Sequence, residues 1–210
     1  MAIYSVVKPL GQRFLKPLVK LLSKSDPDFL TWVGLVFSLC AGWSFALSEN
    51  RAMLLAAIPF ILLRMAFNVL DGMVARQAGK TTAHGEALAE FTDRLSDVGI
   101  FLGITYSPYC TKTLGLLAII VVLLASYVGI LGKAVGAERQ FGGILGKVDR
   151  LVLAILFAVA QYFFPGKWIG VPDGLKNFDI LMIVCMAGGM VTVIQRWRMI
   201  GRQLAQRGKK

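Results

Sequence analysis

Long apolar runs alternate with short polar breaks along the whole chain. Six runs, near 29–48, 53–76, 85–107, 113–135, 148–165 and 177–198, each approach the length of about 20 helical residues that crosses a hydrocarbon core of about 30 Å. Because the breaks are short, the pattern predicts one all-α membrane domain over 29–198, a polytopic bundle of six transmembrane helices. Ahead of it, Lys8, Arg13, Lys16, Lys20 and Lys24 are interleaved with Leu10, Phe14, Leu15, Leu18, Leu21 and Leu22. That spacing predicts residues 1–28 as an amphipathic juxtamembrane helix rather than a signal peptide, with Pro9 and Pro17 limiting its regularity. Residues 199–210 read as a basic tail.

Composition agrees with a lipid solvent. Apolar residues make up 56% of the 210 and charged residues 17%, with a mean hydropathy of +0.66, against about 25% charged in a soluble domain. The net charge of +11 is not gathered on a soluble domain and no nucleic-acid motif accompanies it, so anionic lipid and topology are its expected causes. Lys and Arg concentrate at the N-terminus, after run two (Arg76, Lys80), after run four (Lys133, Arg139, Lys147, Arg150) and at the C-terminus. The positive-inside rule then places both termini in the cytoplasm. Cys40, Cys110 and Cys185 have neither metal nor redox spacing, so neither a disulfide nor zinc is expected.

Candidate chemistry lies where charge interrupts the apolar pattern. Asn68-Val69-Leu70-Asp71-Gly72-Met73-Val74-Ala75-Arg76 ends run two, and Glu86, Glu90, Asp93 and Asp97 follow in run three. Ionisable groups at membrane depth are costly and mark a functional site by default. At 100° per residue, Glu90, Asp93 and Asp97 fall at roughly +40°, −20° and +20° from Glu86, so the four acids share one stripe. Arg64, Asn68, Asp71 and Val74 repeat a similar rhythm on the preceding helix, and two such faces predict a carboxylate cage for a hard divalent cation. The alternative is an ion network in which Arg64, Arg76 and Arg94 pair with the acids and hold the bundle together. Gly72, Gly79 and Gly85, around a polar loop, favour an open site. His84 reads as a loop residue, not a ligand.

These residues resemble the signature of the CDP-alcohol phosphotransferases, Asp-x-x-Asp-Gly-x-x-Ala-Arg, a spacer, then Gly-x-x-x-Asp-x-x-x-Asp. Asp71, Gly72, Ala75, Arg76, Gly85 and Asp93 match without a gap, with Asn68 and Ala89 replacing the first and third aspartates. A shifted alignment keeps Asp93-x-x-x-Asp97 as the final pair and gives the second glycine position to Ala89. The segment Asp28 to Leu35 resembles the family's opening of the first span. The segment Ala137 to Arg150 resembles its basic, glycine-rich turn.

The resemblance implies an integral-membrane enzyme of phospholipid synthesis in a bacterial inner membrane, with its active site facing the cytoplasm. It moves a phosphatidyl group from a CDP-lipid such as CDP-diacylglycerol to an alcohol and releases CMP, using Mg²⁺ or Mn²⁺. Metal ligands are drawn from Asn68, Asp71, Glu90, Asp93 and Asp97, and the nucleotide lies along Thr31, Asp71, Gly72, Ala75, Arg76 and Gly85. The base is Asp93 on the gapless alignment and Asp97 on the shifted one, with Asp97 favoured because Asp93 is then left as a ligand one turn away. Arg139, Lys147 and Arg150 receive the phosphate of a phosphorylated acceptor, or serve topology and lipid headgroups alone. Membrane lipids and a second copy of the chain are the other expected partners. A non-catalytic homologue binding CDP-lipid or a partner, and an ion or solute transporter using the acidic stripe, are the competing readings.

Overall fold

The computed structural model describes residues 15–140, 142–168, 170 and 172–207. Among them the chain is all-helical: α1 (15–21), α2 (Pro27–Ala46), α3 (Ala52–Gln77), α4 (Ala83–Tyr106), α5 (Lys112–Ala134), α6 (Lys147–Phe163) and α7 (Asn177–Arg207). The main contacts run α2 to α3, α3 to α6, α6 to α7, α7 to α5, α5 to α4 and α4 back to α2. The six long helices therefore close into a ring, with the core between them.

Local chemistry sets the helix starts. Asp26 caps α2 by accepting from Asp28 N–H at 3.1 Å, with Pro27 in the first turn, where its missing N–H costs nothing. Thr82 caps α4 by accepting from Gly85 N–H at 3.0 Å. Asp149 reaches back to Gly146 N–H at 2.8 Å and fixes the entry to α6.

Packing depends on small residues. Gly99 and Gly103, one turn apart on α4, lie against Gly42 of α2 so closely that a Cβ on Gly42 or Gly103 would overlap the other helix's backbone. Phe45, Phe101, Phe178 and Ile61 fill the core above and below this crossing. The outer surface is apolar, with Trp43 70%, Ile120 60% and Trp197 62% exposed, as expected of side chains that meet lipid.

Four helices, α2, α3, α5 and α7, are long and apolar enough to cross a membrane, and the chain is an integral membrane protein. The expected third and fifth runs also form helices, but they differ from simple spans for physical reasons. α4 carries Glu86, Glu90, Asp93, Arg94 and Asp97, and α6 has 17 residues. The last helix does not stop near 198. It continues to Arg207, with Ile200 buried against Val128 and Ala137 and with Gln203 Oε1 accepting from Glu138 N–H at 3.0 Å. Of the expected N-terminal amphipathic helix, residues before 15 lie outside the described residues. In α1, Val19 is buried against Leu30, Leu70 and Val74 while Leu21 is 81% exposed.

Candidate active site

The motif end of α3 lines one side of a cleft of about 510 Å³. Asp71 is only 7% exposed. Its Oδ2 accepts from Thr31 Oγ1 at 2.9 Å and its Oδ1 from the Gly72 N–H at 2.5 Å, and it makes no ion pair among the described residues. Thr31 is itself anchored by donating to Pro27 O at 3.1 Å. All six residues expected along a nucleotide, Thr31, Asp71, Gly72, Ala75, Arg76 and Gly85, line this cleft, joined by Asp28, Lys80 and Ala89. A Cβ on Gly72 would lie 3.7 Å from the Arg76 guanidinium, and one on Gly85 would lie 3.3 Å from Asp28 Oδ1 and Thr82 Oγ1. Glycine at these two positions keeps the wall thin. Arg76 makes no ion pair among the described residues, so its charge is available to an anion.

On α4 the acidic stripe exists, and every acid in it meets a cation. Glu86 accepts from Lys133 Nζ at 2.6 Å on the exposed surface, and Glu90 pairs with Arg94 at 2.6 Å and also with Arg139. Asp93 Oδ1 receives Arg64, Asn68 Nδ2 at 2.9 Å and Lys147 Nζ at 2.5 Å. Asp97, 2% exposed, pairs with Arg150 at 3.1 Å and lies 3.8 Å from Arg94. The ion network weighed as the alternative is therefore present for Arg64 and Arg94, but not for Arg76. His84 sits at the exposed start of α4 with its ring 3.2 Å from Asp28.

A second cleft, of about 230 Å³, is lined by other residues of the same two helices. Asn68, Asp93 and Arg94 line it from α3 and α4, and Arg139, Lys147, Arg150 and Arg196 from the basic turn, α6 and α7. All three residues expected to receive an acceptor phosphate are here. Among the described residues, Arg94 Nε and Arg150 Nε are buried without a hydrogen-bond partner. Arg196, which the sequence pattern assigned only to topology, donates to Gly142 O at 2.8 Å and Ala125 O at 2.5 Å and lies against Gly129. A cation kept in register at the end of an apolar helix, opposite a small residue, is the sequence signal that would have found it.

The donor set decides what metal these residues can hold. Ala89 supplies no ligand atom, and Glu90, Asp93 and Asp97 are already paired with cations. Among the described residues no three His, Cys, Asp or Glu side chains come together, and arginine and lysine pair with the acids of α4. Asp71, a buried carboxylate without a cation facing the larger cleft, does fit one hard cation completed by ligand oxygens, with the Asn68 amide one turn away. Away from the clefts, in the turn between α4 and α5, burial pushes the Cys110 thiol up to about 12.

This arrangement has relatives. The family model for CDP-alcohol phosphatidyltransferase matches residues 25–195. Inner membrane protein YnbA of Escherichia coli is 30% identical over 80% of this chain and 84% of its own length. The archaetidylinositol phosphate synthase of Methanothermobacter thermautotrophicus is 31% identical over 94% of this chain and 93% of its own. The fold matches Mycobacterium tuberculosis phosphatidylinositol phosphate synthase, solved with CDP-DAG bound, at a TM-score of 0.72 and 23% identity over 90% and 94% of the two chains. The same enzyme solved with manganese and citrate gives a TM-score of 0.72 at 22% identity over 88% and 87%. With the motif, the two clefts and a family match over most of its length, this chain belongs to the CDP-alcohol phosphatidyltransferase family, membrane transferases of phospholipid biosynthesis.

Proposed function

We propose that the protein transfers a phosphatidyl group from CDP-diacylglycerol to a phosphorylated alcohol, releasing CMP. The carrying observation is that its two clefts share one wall. Asp71 lines the larger and Asn68, one turn away on α3, lines the smaller, where Asn68 donates to Asp93. A donor diphosphate along Thr31, Asp71, Gly72, Ala75, Arg76 and Gly85 thus meets an acceptor hydroxyl at the boundary, with Arg139, Lys147, Arg150 and Arg196 on the acceptor's phosphate. Relatives that make inositol-phosphate lipids favour inositol phosphate as that acceptor.

Asp93 serves as the base in this reading, in preference to Asp97. The hydrogen bonds to Asp93 end on Oδ1, which leaves Oδ2 to take a proton, and Asp93 lines the acceptor cleft. Asp97 is enclosed with Arg150 and lines neither cleft. The acceptor oxygen bonds to the lipid-side phosphorus, its proton goes to Asp93, and the bond from that phosphorus to the CMP oxygen breaks. Mg²⁺ or Mn²⁺ on Asp71, with the Asn68 amide nearby, would offset the charge of the diphosphate and of departing CMP.

The same reading treats α4 and α6 as membrane helices whose polar faces turn inward, giving six spans and a domain that runs from 29 through the end of α7. Both clefts then face the cytoplasm, and part of the apolar surface packs against a second copy. Purified protein given CDP-diacylglycerol, divalent metal and a panel of alcohols tests this by CMP release. Release with a phosphorylated alcohol, lost in Asp93→Asn, supports it, and no release with any acceptor overturns it. The losses at Asn68 and Ala89 favour a second reading, CDP-lipid binding without turnover, which predicts binding in the same preparation and no CMP. A transporter is disfavoured because each acid of the stripe is neutralised by a cation.

A further inference from the structure

We infer that this chain takes up a single divalent cation, only together with the diphosphate of its CDP-ligand, with Asp71 as its one carboxylate ligand. The inference rests on the donor-cleft reading above and goes beyond it to the metal stoichiometry and the order of binding.

The count of ligand atoms carries it. Of the four motif positions that hold carboxylates in the family pattern, Asn68 is a neutral amide and Ala89 has no donor atom. Asp93 already receives Arg64 and Lys147 on Oδ1, so a divalent ion there would face two fixed positive charges at contact distance. Glu90 is held by Arg94 and Arg139, and Asp97 by Arg150. These cations stand where a second metal's charge would otherwise be needed.

Asp71 is the exception. It is buried and lines the cleft, and among the described residues it is hydrogen-bonded only by Thr31 and the Gly72 N–H and makes no ion pair. A lone carboxylate does not strip Mg²⁺ or Mn²⁺ of its water, but one carboxylate plus phosphate oxygens is a common magnesium environment. The diphosphate therefore supplies the remaining ligands, and metal and nucleotide bind interdependently. Glu86 lines the same cleft, but its carboxylate is half exposed and paired with Lys133.

Electron paramagnetic resonance of Mn²⁺ titrated into the purified full chain tests this, with CDP-diacylglycerol binding measured in parallel. Expected are no bound Mn²⁺ without nucleotide, one per chain with CDP-diacylglycerol, and a loss of at least about tenfold in Mn²⁺ affinity in Asp71→Asn but not in Glu86→Gln. The double variant Asn68→Asp, Ala89→Asp should gain nucleotide-independent Mn²⁺ binding, a signal that a merely misfolded variant cannot give. Two Mn²⁺ per wild-type chain, uptake without nucleotide, or unchanged uptake in folded Asp71→Asn overturns the inference while leaving the donor reading intact. Failure to bind CDP-diacylglycerol at all, with or without Mn²⁺, overturns both.

Discussion

Lys147 Nζ, at the first residue of α6, lies 2.5 Å from Asp93 Oδ1 in the middle of α4. Fifty-four residues separate them in sequence, and their contact joins the basic turn to the motif helix. Because Lys147 also lines the smaller cleft, its charge both balances Asp93 and faces that cleft.

Replacing Lys147 with Met removes one charge-assisted interaction, of about 1.5–3 kcal/mol. The KM for a phosphorylated acceptor should rise roughly ten- to a hundredfold, while CDP-diacylglycerol binding changes little, since Lys147 does not line the larger cleft. Initial rates of CMP release against acceptor concentration measure the first effect, and equilibrium binding the second. Equal loss of both would place Lys147 in a purely structural role.

Asp93→Asn and Asp97→Asn should fail in different ways. Without its base, the Asp93 variant should lose about 10²- to 10⁴-fold in turnover yet still bind CDP-diacylglycerol. The Asp97 variant strands a buried Arg150, which costs about 3–5 kcal/mol, but Asp97 lines neither cleft, so its thermal midpoint in detergent should fall while turnover per folded molecule drops less than in the Asp93 variant. Normal turnover in Asp93→Asn would return the base to another residue.

Gly103→Ala puts a methyl into the backbone of α2 at Gly42. Overpacking of this kind costs about 1–3 kcal/mol or more, seen as a lowered thermal midpoint. Gly201→Ala, on α7 with open space around it, should be neutral or stabilising by about 1 kcal/mol. A matched gain in the two variants would mean that helix propensity, not the α2–α4 crossing, is being read.

The charge pattern predicts a membrane orientation that cysteine labelling can read. A cysteine at Lys80 should react with an impermeant maleimide only after cells are opened, and one at Asp173 should react in intact cells. Cys110 should contribute little background, because its thiol is buried and its pKa raised to about 12. The reverse pattern would invert the assignment.

Much of this protein is written locally. Apolar runs locate α2, α3, α5 and α7 to within a few residues, except for the end of α7, because membrane spans are specified by length and hydropathy alone. The extension to Arg207 was hidden because Arg202 and Arg207 look like tail charges. In fact Ile200 and Gln203 find partners on the turn after α5. The six residues of the larger cleft and the three cations of the smaller one were legible because each sits in a short motif-like segment: Thr31 at the opening of α2, Asp71 to Gly85 across the α3–α4 turn, and Arg139, Lys147 and Arg150 in the basic turn.

The sequence by itself determined the solvent, the helices, the family and the stripe of acids on α4, all of which depend on residue type and period. Only the tertiary structure decided what each acid touches. Arg64, Arg139, Lys147 and Arg150 come from three other parts of the chain, and the closed ring of helices brings them onto Glu90, Asp93 and Asp97. Charge pairing in a low-dielectric interior is settled by distance, and distance between helices is not encoded in the period of any one of them. What remains after that pairing is Asp71, which lines the larger cleft and makes no ion pair among the described residues.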